Sequence, residues 1–181
     1  QARARGHFAR SLDEEDVKAW FEKNRQRFSD ELTIARILVA ARAQPVLRAG
    51  QKIRSLEQGK ALADALWLRA TQGADFHEIA RENSDDSDAI RLNNGIVPFP
   101  VTAATPGYED TYAQAEALER GGISRPFFSA GRGYVIVKLM ERKPAKGFDE
   151  LKPRLRDLAG DERYHLWRAE RIRAAIKSGD V

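Results

Sequence analysis

The order of the predicted helices and strands is the feature that most constrains the fold of this 181-residue chain. Between residues 31 and 40 the side chains alternate in character, and this period of two predicts a half-buried strand. The elements predicted after it are, in order, helices at 55–73, 75–83 and 108–119, and strands near 127–128 and at 134–140. Ser55 with Gln58 and Asp75 with Glu78 are spaced to cap the first two of these helices. Short helices beside strands that are distant in sequence indicate an α+β fold with an antiparallel sheet.

Helices are also predicted at both ends of the chain. Ser11 and Glu14 are spaced as a capping box, and the helix that they begin is predicted to run to about Arg27. Another helix is predicted at 148–177, with a break at Gly160. The two ends are therefore expected to be helical extensions of a central domain.

The composition excludes several classes of site. The chain has no cysteine, so disulfides, thiolate metal sites and a cysteine nucleophile are excluded. It contains no glycine-rich phosphate loop and neither the HExxH nor the GxSxG motif. The histidines His7, His77 and His165 lie far apart in the sequence, and no pattern brings them together for metal binding or acid–base chemistry. No metal and no cofactor are therefore expected.

The charge pattern and the first residue bear on partners and location. The net charge is +4, and basic and acidic residues are interspersed, which predicts a solvated surface rather than a nucleic-acid-binding stripe. No apolar run approaches the roughly 20 residues that a membrane-spanning helix needs. The chain begins with Gln1, so we expect a processed or cut product whose targeting segment or membrane tether lies outside it. A basic loop is predicted at 41–54, and the side chains expected to be solvated there are Arg42, Arg48, Lys52 and Arg54.

Four segments, taken in order, carry a family resemblance. They are 33–40 (TIARILVA), 73–86 (GADFHEIARENSDD), 108–110 (YED) with 117–126 (ALERGGISRP), and 133–139 (GYVIVKL). Together they resemble a parvulin-type, PpiC-like peptidyl-prolyl cis/trans isomerase domain. The resemblance implies the fold that parvulins share with the immunophilins that bind FK506, a four-stranded antiparallel sheet wrapped by helices. It places this domain at 31–142, with helical extensions at 1–30 and 143–181, as in bacterial envelope foldases.

The chain departs from the family where the family has its two histidines. Arg36 and Val135 occupy those positions, and because arginine only donates hydrogen bonds and valine makes none, paired imidazoles cannot form. The resemblance implies that the Asp86 carboxylate lies near the substrate carbonyl and disfavours the planar amide. The alternative is that Asp85 and Asp86 only cap a turn. We expect Arg36 to pair with Asp86, since an unpaired buried arginine is costly; the alternative is that it binds an acidic peptide group.

The resemblance also implies an apolar pocket for the proline ring. Ile96, Phe99 and Tyr108 stand at positions that form the walls of this pocket. Ser129 matches a Ser/Thr position before the last strand, and Val135 lines the substrate site in place of a histidine. The alternative for the three wall residues is packing in the core or at the pocket rim without any ligand.

The predicted function is a peptidyl-prolyl isomerase domain that assists the folding of proline-containing polypeptide clients, with weak activity because both histidines are replaced. The alternative is an inactive chaperone or peptide-binding module on the same fold. A nucleic-acid binder is disfavoured, because its basic residues would be clustered. The resemblance implies the periplasm or cell envelope, with the cytoplasm as the alternative. It leaves the clients and the oligomeric state open.

Overall fold

The computed structural model describes residues 7–43 and 54–178, so most of the predicted basic loop at 41–54 lies outside the described residues. The chain divides into two compact units, one formed by Ser29–Ala145 and the other by the two chain ends. The helices and strands are, in chain order, α1 (Glu14–Lys23), β1 (Glu31–Ala40), α2 (Leu56–Thr71), α3 (Phe76–Asn83), α4 (Asp88–Arg91), α5 (Glu109–Glu116), β2 (Phe127–Ser129), β3 (Gly133–Lys143) and α6 (Phe148–Ser178).

The sheet of the central unit is antiparallel, with β3 between β1 and β2. The α+β class is confirmed, but the four-stranded sheet is wrong, because the described residues form three strands. The segment 95–101 instead follows the free edge of β1 through isolated bridges, which pair Ala35 with Ile96 and Leu32 with Val101. The registers of the two bridges differ by two residues, so the segment does not form one continuous ladder with β1; Pro98 and Pro100 lie between the bridges.

Two hydrophobic clusters cover the two faces of this sheet. The first, which we call the α5 cluster, contains Ile34, Val137, Leu139 and the buried residues of α5. The second, which we call the α2–α3 cluster, contains Ala35, Ile37, Ile136 and the buried residues of α2 and α3. Each fully buried aliphatic side chain of this kind contributes about 1.5–3 kcal/mol through removal from water. The alternation along β1 and β3 therefore decides which side chains can reach a given face.

Local capping signals begin the two helices on the α2–α3 side of the sheet. The predicted capping box at Ser55 is confirmed, because the Ser55 hydroxyl accepts from the Gln58 N–H and the Gln58 side chain accepts from the Ser55 N–H. Asp75 accepts from the His77 N–H at the start of α3. These helices therefore begin where the local sequence indicates.

In the unit formed by the chain ends, the predicted capping box at Ser11 is wrong. The Ser11 hydroxyl donates to the carbonyl of Phe8 at the end of a helical turn at 7–10, and Asp13 caps α1 instead. Helix α1 ends at Lys23, before the predicted Arg27, and a 3₁₀ turn follows it. The Ser11 hydroxyl is therefore engaged as a donor by this helical turn, and the Asp13 carboxylate accepts from the first turn of α1 in its place.

The predicted break at Gly160 is also wrong, since α6 is continuous from Phe148 to Ser178. A β-carbon built on Gly160 would lie 2.6 Å from the α-carbon of Ala9. The glycine therefore permits close packing of two segments and does not end the helix. None of the helices in the described part of the chain is long and apolar enough to cross a membrane.

Candidate functional site

A buried ion pair lies at the centre of the candidate site. Arg36 on β1 donates to both carboxylate oxygens of Asp86, from Nε to Oδ2 at 2.5 Å and from Nη2 to Oδ1 at 2.9 Å. The two side chains are 6% and 5% exposed. The pairing expected from the sequence is therefore present, in the bidentate geometry that gives arginine–carboxylate contacts their strength.

The turn at 84–87 holds Asp86 against β1. The Ser84 hydroxyl accepts from the N–H groups of Leu38 and Asp86, at 3.0 and 3.3 Å. The Ser87 N–H donates to Asp86 Oδ1 at 2.8 Å, so Asp86 also caps the turn. This geometry leaves neither oxygen of Asp86 without a hydrogen bond.

Asp85 secures the same turn from the other side of the backbone. Its Oδ2 accepts from the Ala40 N–H at 3.0 Å and from Nη1 of Arg54. Its own N–H donates to the Leu38 carbonyl at 2.7 Å. The two adjacent aspartates therefore have different arginine partners, and both tie the turn to β1.

The guanidinium of Arg36 lies over an aromatic ring. Its Cζ is 4.6 Å from the centre of the Tyr108 ring, and the Phe99 ring meets the Tyr108 ring edge-on, with 5.4 Å between centres. Tyr108 is buried, whereas Phe99 is 42% exposed. Nη1 of Arg36 is buried and has no hydrogen-bond acceptor among the described residues. A buried N–H without a partner is costly, so this atom is the exception in an otherwise satisfied site.

A second arginine reaches the same ring. The Cζ of Arg132, in the turn between β2 and β3, lies 5.5 Å from the centre of the Tyr108 ring. Beside it, the N–H groups of Glu109 and Gly107 hold the pKa of the Glu109 carboxyl below its usual value, and the charge of Arg132 adds to this. The turn between β2 and β3 was predicted, but its local sequence carries no signal that Arg132 contacts Tyr108.

The structure divides the other predicted site residues between the two sheet faces. Val135 is fully buried in the α5 cluster with Tyr108, and it pairs with Leu38 on one side and Phe127 on the other. Ser129 is buried and lies two residues after Phe127 on β2, so it faces the same side of the sheet.

Ile96 does not lie with Tyr108. It packs against the α2–α3 cluster, and the next residue, Val97, is buried in the α5 cluster. Ile96 pairs with Ala35, whose side chain faces the α2–α3 side, and neighbouring residues of an extended chain point to opposite faces. Val97, and not Ile96, therefore lies in the same cluster as Tyr108. Among the residues that the structure describes, no cluster of three or more His, Asp or Glu side chains has the arrangement of a metal site.

Comparison with known families gives one match that covers most of the chain. The family model described as the PPIC-type PPIASE domain matches residues 12–153. The chaperone SurA of Burkholderia lata is 30% identical over 100 residues, which cover 55% of this chain and 21% of SurA. SurA of Xylella fastidiosa is 29% identical over 106 residues, which cover 59% of this chain and 22% of SurA. The matched parts thus span about a fifth of the length of these curated relatives.

Solved structures of low sequence identity share the fold. The peptidylprolyl isomerase PrsA from Bacillus anthracis has a TM-score of 0.53 at 22% identity, with 98% of this chain and 70% of that chain covered. The foldase protein PrsA from Streptococcus pneumoniae has a TM-score of 0.56 at 21% identity, with 89% and 52% covered. A PpiC-type peptidyl-prolyl cis-trans isomerase domain has a TM-score of 0.53 at 20% identity, with 66% and 96% covered.

Proposed function

We propose that this chain, which belongs to the PPIC-type peptidyl-prolyl isomerase (PPIase) domain family, binds proline-containing segments of unfolded polypeptides and weakly accelerates the exchange of their X–Pro bonds. The observation that carries the proposal is the order of three groups in the central unit. The exposed Phe99 contacts the buried Tyr108, and Tyr108 contacts the guanidinium of Arg36, whose Nη1 has no acceptor in the described part of the chain. This arrangement offers an apolar ring to a proline, and behind that ring it holds a hydrogen-bond donor that local movement would bring to the amide.

Rotation about an X–Pro amide requires a donor that prefers the twisted state. The planar amide delocalises the nitrogen lone pair, and the barrier to rotation is about 18–20 kcal/mol. When the bond twists, the nitrogen becomes pyramidal and its lone pair can accept a hydrogen bond. Nη1 of Arg36 has no acceptor of its own among the described residues, so a bond to the twisted nitrogen would be gained only in the transition state. Such differential binding is what lowers a barrier.

The same geometry explains why the proposed activity is weak. Both oxygens of Asp86 accept from Arg36, so the carboxylate is neutralised and is not free to act on a substrate carbonyl. Val135 is buried and has no polar group to offer. Nη1 of Arg36 is itself buried, and a client reaches it only after local movement of its cover. Binding energy used for that movement is lost from catalysis.

The second candidate is a client-binding module without catalysis. The specific observation in its favour is the complete engagement of Asp86 by Arg36 and by the Ser87 N–H. Under this candidate, Phe99 and Tyr108 still bind a proline-containing segment, but no group acts on the amide.

An exchange measurement separates the two candidates. We expect the unmodified protein to accelerate cis/trans exchange of a short proline peptide, measured by NMR exchange spectroscopy. The double replacement Arg36→Met with Asp86→Leu removes the donor and its counter-charge together. It should return the exchange to its uncatalysed rate, at which one exchange takes tens to hundreds of seconds. Acceleration that survives the double replacement would refute the role of Arg36. No acceleration by the unmodified protein, with binding intact, would favour the second candidate.

Client binding itself is tested at Phe99. We expect Phe99→Ala to weaken binding of a proline peptide about tenfold, or about 1.4 kcal/mol, because an aromatic anchor is lost from an otherwise intact fold. Titration of the peptide by fluorescence or NMR measures the effect.

Phe128→Ala is the matched control for Phe99→Ala. Phe128 is 49% exposed and meets Tyr134 edge-on at 5.5 Å, but Tyr134 packs against the α2–α3 cluster on the other sheet face. If both replacements weaken peptide binding equally, the client binds elsewhere or binds non-specifically to exposed aromatic side chains.

The proposed location is the bacterial cell envelope, with the cytoplasm as the alternative. The proposal is supported by the lack of cysteine, which suits an oxidising compartment, and by similarity to proteins named chaperone SurA and foldase PrsA. Fractionation of the source cells, with antibody detection of the native protein, tests this location.

A further inference from the structure

Arg132 is held at the edge of the proposed client site. Its Cζ lies 5.5 Å from the centre of the Tyr108 ring. A β-carbon built on Gly107 would lie 2.8 Å from its Nη2, so the guanidinium rests against the backbone just before Tyr108. The side chain is partly buried. A guanidinium in this position is oriented by a ring and by a backbone segment and does not extend freely into water.

Arg132 has no carboxylate partner among the described residues, and in this it differs from other arginines of the central unit. Three other arginines near the site form ion pairs, namely Arg36 with Asp86, Arg54 with Asp85, and Arg91 with Asp88. The guanidinium of Arg132 makes no ion pair within 4.0 Å and no hydrogen bond with any residue of 7–43 or 54–178. No described residue therefore accepts a hydrogen bond from its five N–H donors, and these can bind a ligand.

The acidic side chain of Glu109, close to Arg132, does not form an ion pair with it. Glu109 Oε1 accepts from the Gly107 N–H at 3.0 Å, and the carboxylate is held at the start of α5. It lowers the local positive potential without contacting Arg132 within 4.0 Å. Arg132 thus remains a cation beside the ring to which the proline is proposed to bind.

We propose that Arg132 selects client segments that carry an aspartate or glutamate next to the proline. The inference rests on the proposed function, since it requires the proline ring at Phe99 and Tyr108. A carboxylate one residue away from that ring can reach the guanidinium and accept two parallel hydrogen bonds from it. The proposed preference depends on Arg132, which lies in the turn between β2 and β3.

A fully solvated surface arginine would give no preference for acidic residues next to the proline, because exposed ion pairs contribute little. Arg125 provides the comparison within the chain. Its Cζ lies over the Trp67 ring at 5.0 Å, and Trp67 packs against the α2–α3 cluster. Each of the two arginines therefore lies over an aromatic ring, but the two rings belong to opposite faces of the sheet.

The test uses short peptides with one proline, flanked on either side by Glu, Gln or Lys, titrated at low and high salt. We expect a Glu peptide to bind about three- to tenfold tighter than its Gln counterpart at low salt, and the difference to shrink as salt is added. Arg132→Gln should abolish the difference, and Arg132→Glu should transfer the preference to the Lys peptide. Arg125→Gln should leave the preference unchanged. Glu109→Gln should increase it, because a competing negative charge is removed.

The outcomes distinguish this inference from the function on which it rests. If no peptide binds the unmodified protein, the proposed function fails. If Glu and Gln peptides bind equally well, or if Arg125→Gln removes the preference as fully as Arg132→Gln, the function stands and the role of Arg132 is refuted. A preference that survives Arg132→Gln also refutes it.

Discussion

Asp86→Ala is expected to destabilise the central unit by about 3–5 kcal/mol, because it leaves the Arg36 guanidinium buried without its counter-charge. The loss also removes two hydrogen bonds from a guanidinium whose Nη1 already has no acceptor among the described residues. Denaturant unfolding, with the midpoint and slope fitted together, measures the change.

Two further variants show whether the buried charge is the cause. Asp88→Ala breaks an exposed pair with Arg91 and should cause no measurable loss, since exposed ion pairs contribute little. Arg36→Met combined with Asp86→Leu should recover most of the stability lost in the single variant, because apolar side chains of similar size replace the pair. An Asp86→Ala protein as stable as the Asp88→Ala protein would contradict the burial of the pair.

Gly95→Ala is expected to destabilise the protein by about 2–5 kcal/mol, as two costs add. The backbone at Gly95 has φ +78°, a conformation that alanine adopts only under strain. A β-carbon there would lie 2.7 Å from the Ala80 β-carbon and 2.8 Å from the Arg36 carbonyl oxygen. Since the Gly95 carbonyl accepts from the Arg36 N–H, displacement of this segment would also disturb the ion pair. Thermal or denaturant unfolding gives the magnitude.

Gly131→Ala separates the two costs. Gly131 has φ +75°, but no heavy atom lies within 4 Å of a β-carbon built on it. This variant should therefore show only the cost of backbone strain, about 1–2 kcal/mol. A Gly95→Ala protein that is no less stable than the Gly131→Ala protein would contradict the close packing of 95–101 against β1.

The expected cost of Asp86→Ala also affects how activity should be tested. Because the family resemblance assigns Asp86 to the substrate site, its replacement is the obvious direct test of catalysis. Here a loss of activity in Asp86→Ala would report loss of the fold as readily as loss of chemistry. The paired replacement of Arg36 and Asp86 avoids this problem, and Phe99→Ala and Arg132→Gln avoid it because both side chains are more exposed.

Signals that act over a few residues were readable from the sequence. The period of two along 31–40 predicted β1 with its bounds, and the capping boxes or caps at Ser55 and Asp75 predicted the starts of α2 and α3. The capping residue of α1 was not predicted, because the helical turn at 7–10 competes for Ser11. The ion pair could also be predicted from the sequence. A buried arginine on a strand needs an acidic partner, and the family resemblance placed Asp86 in the same site as Arg36.

What the sequence determined by itself is the chemistry that this site lacks, because Arg36 and Val135, at the positions that the resemblance assigns to the two histidines, exclude paired imidazoles there. The tertiary structure alone decided which side chains meet. Arg36 and Asp86 are 50 residues apart, Val97 rather than Ile96 lies with Tyr108, and Gly160 admits Ala9 instead of ending a helix. Contacts of this kind depend on the register and packing of distant segments. Local periodicity carries no information about them.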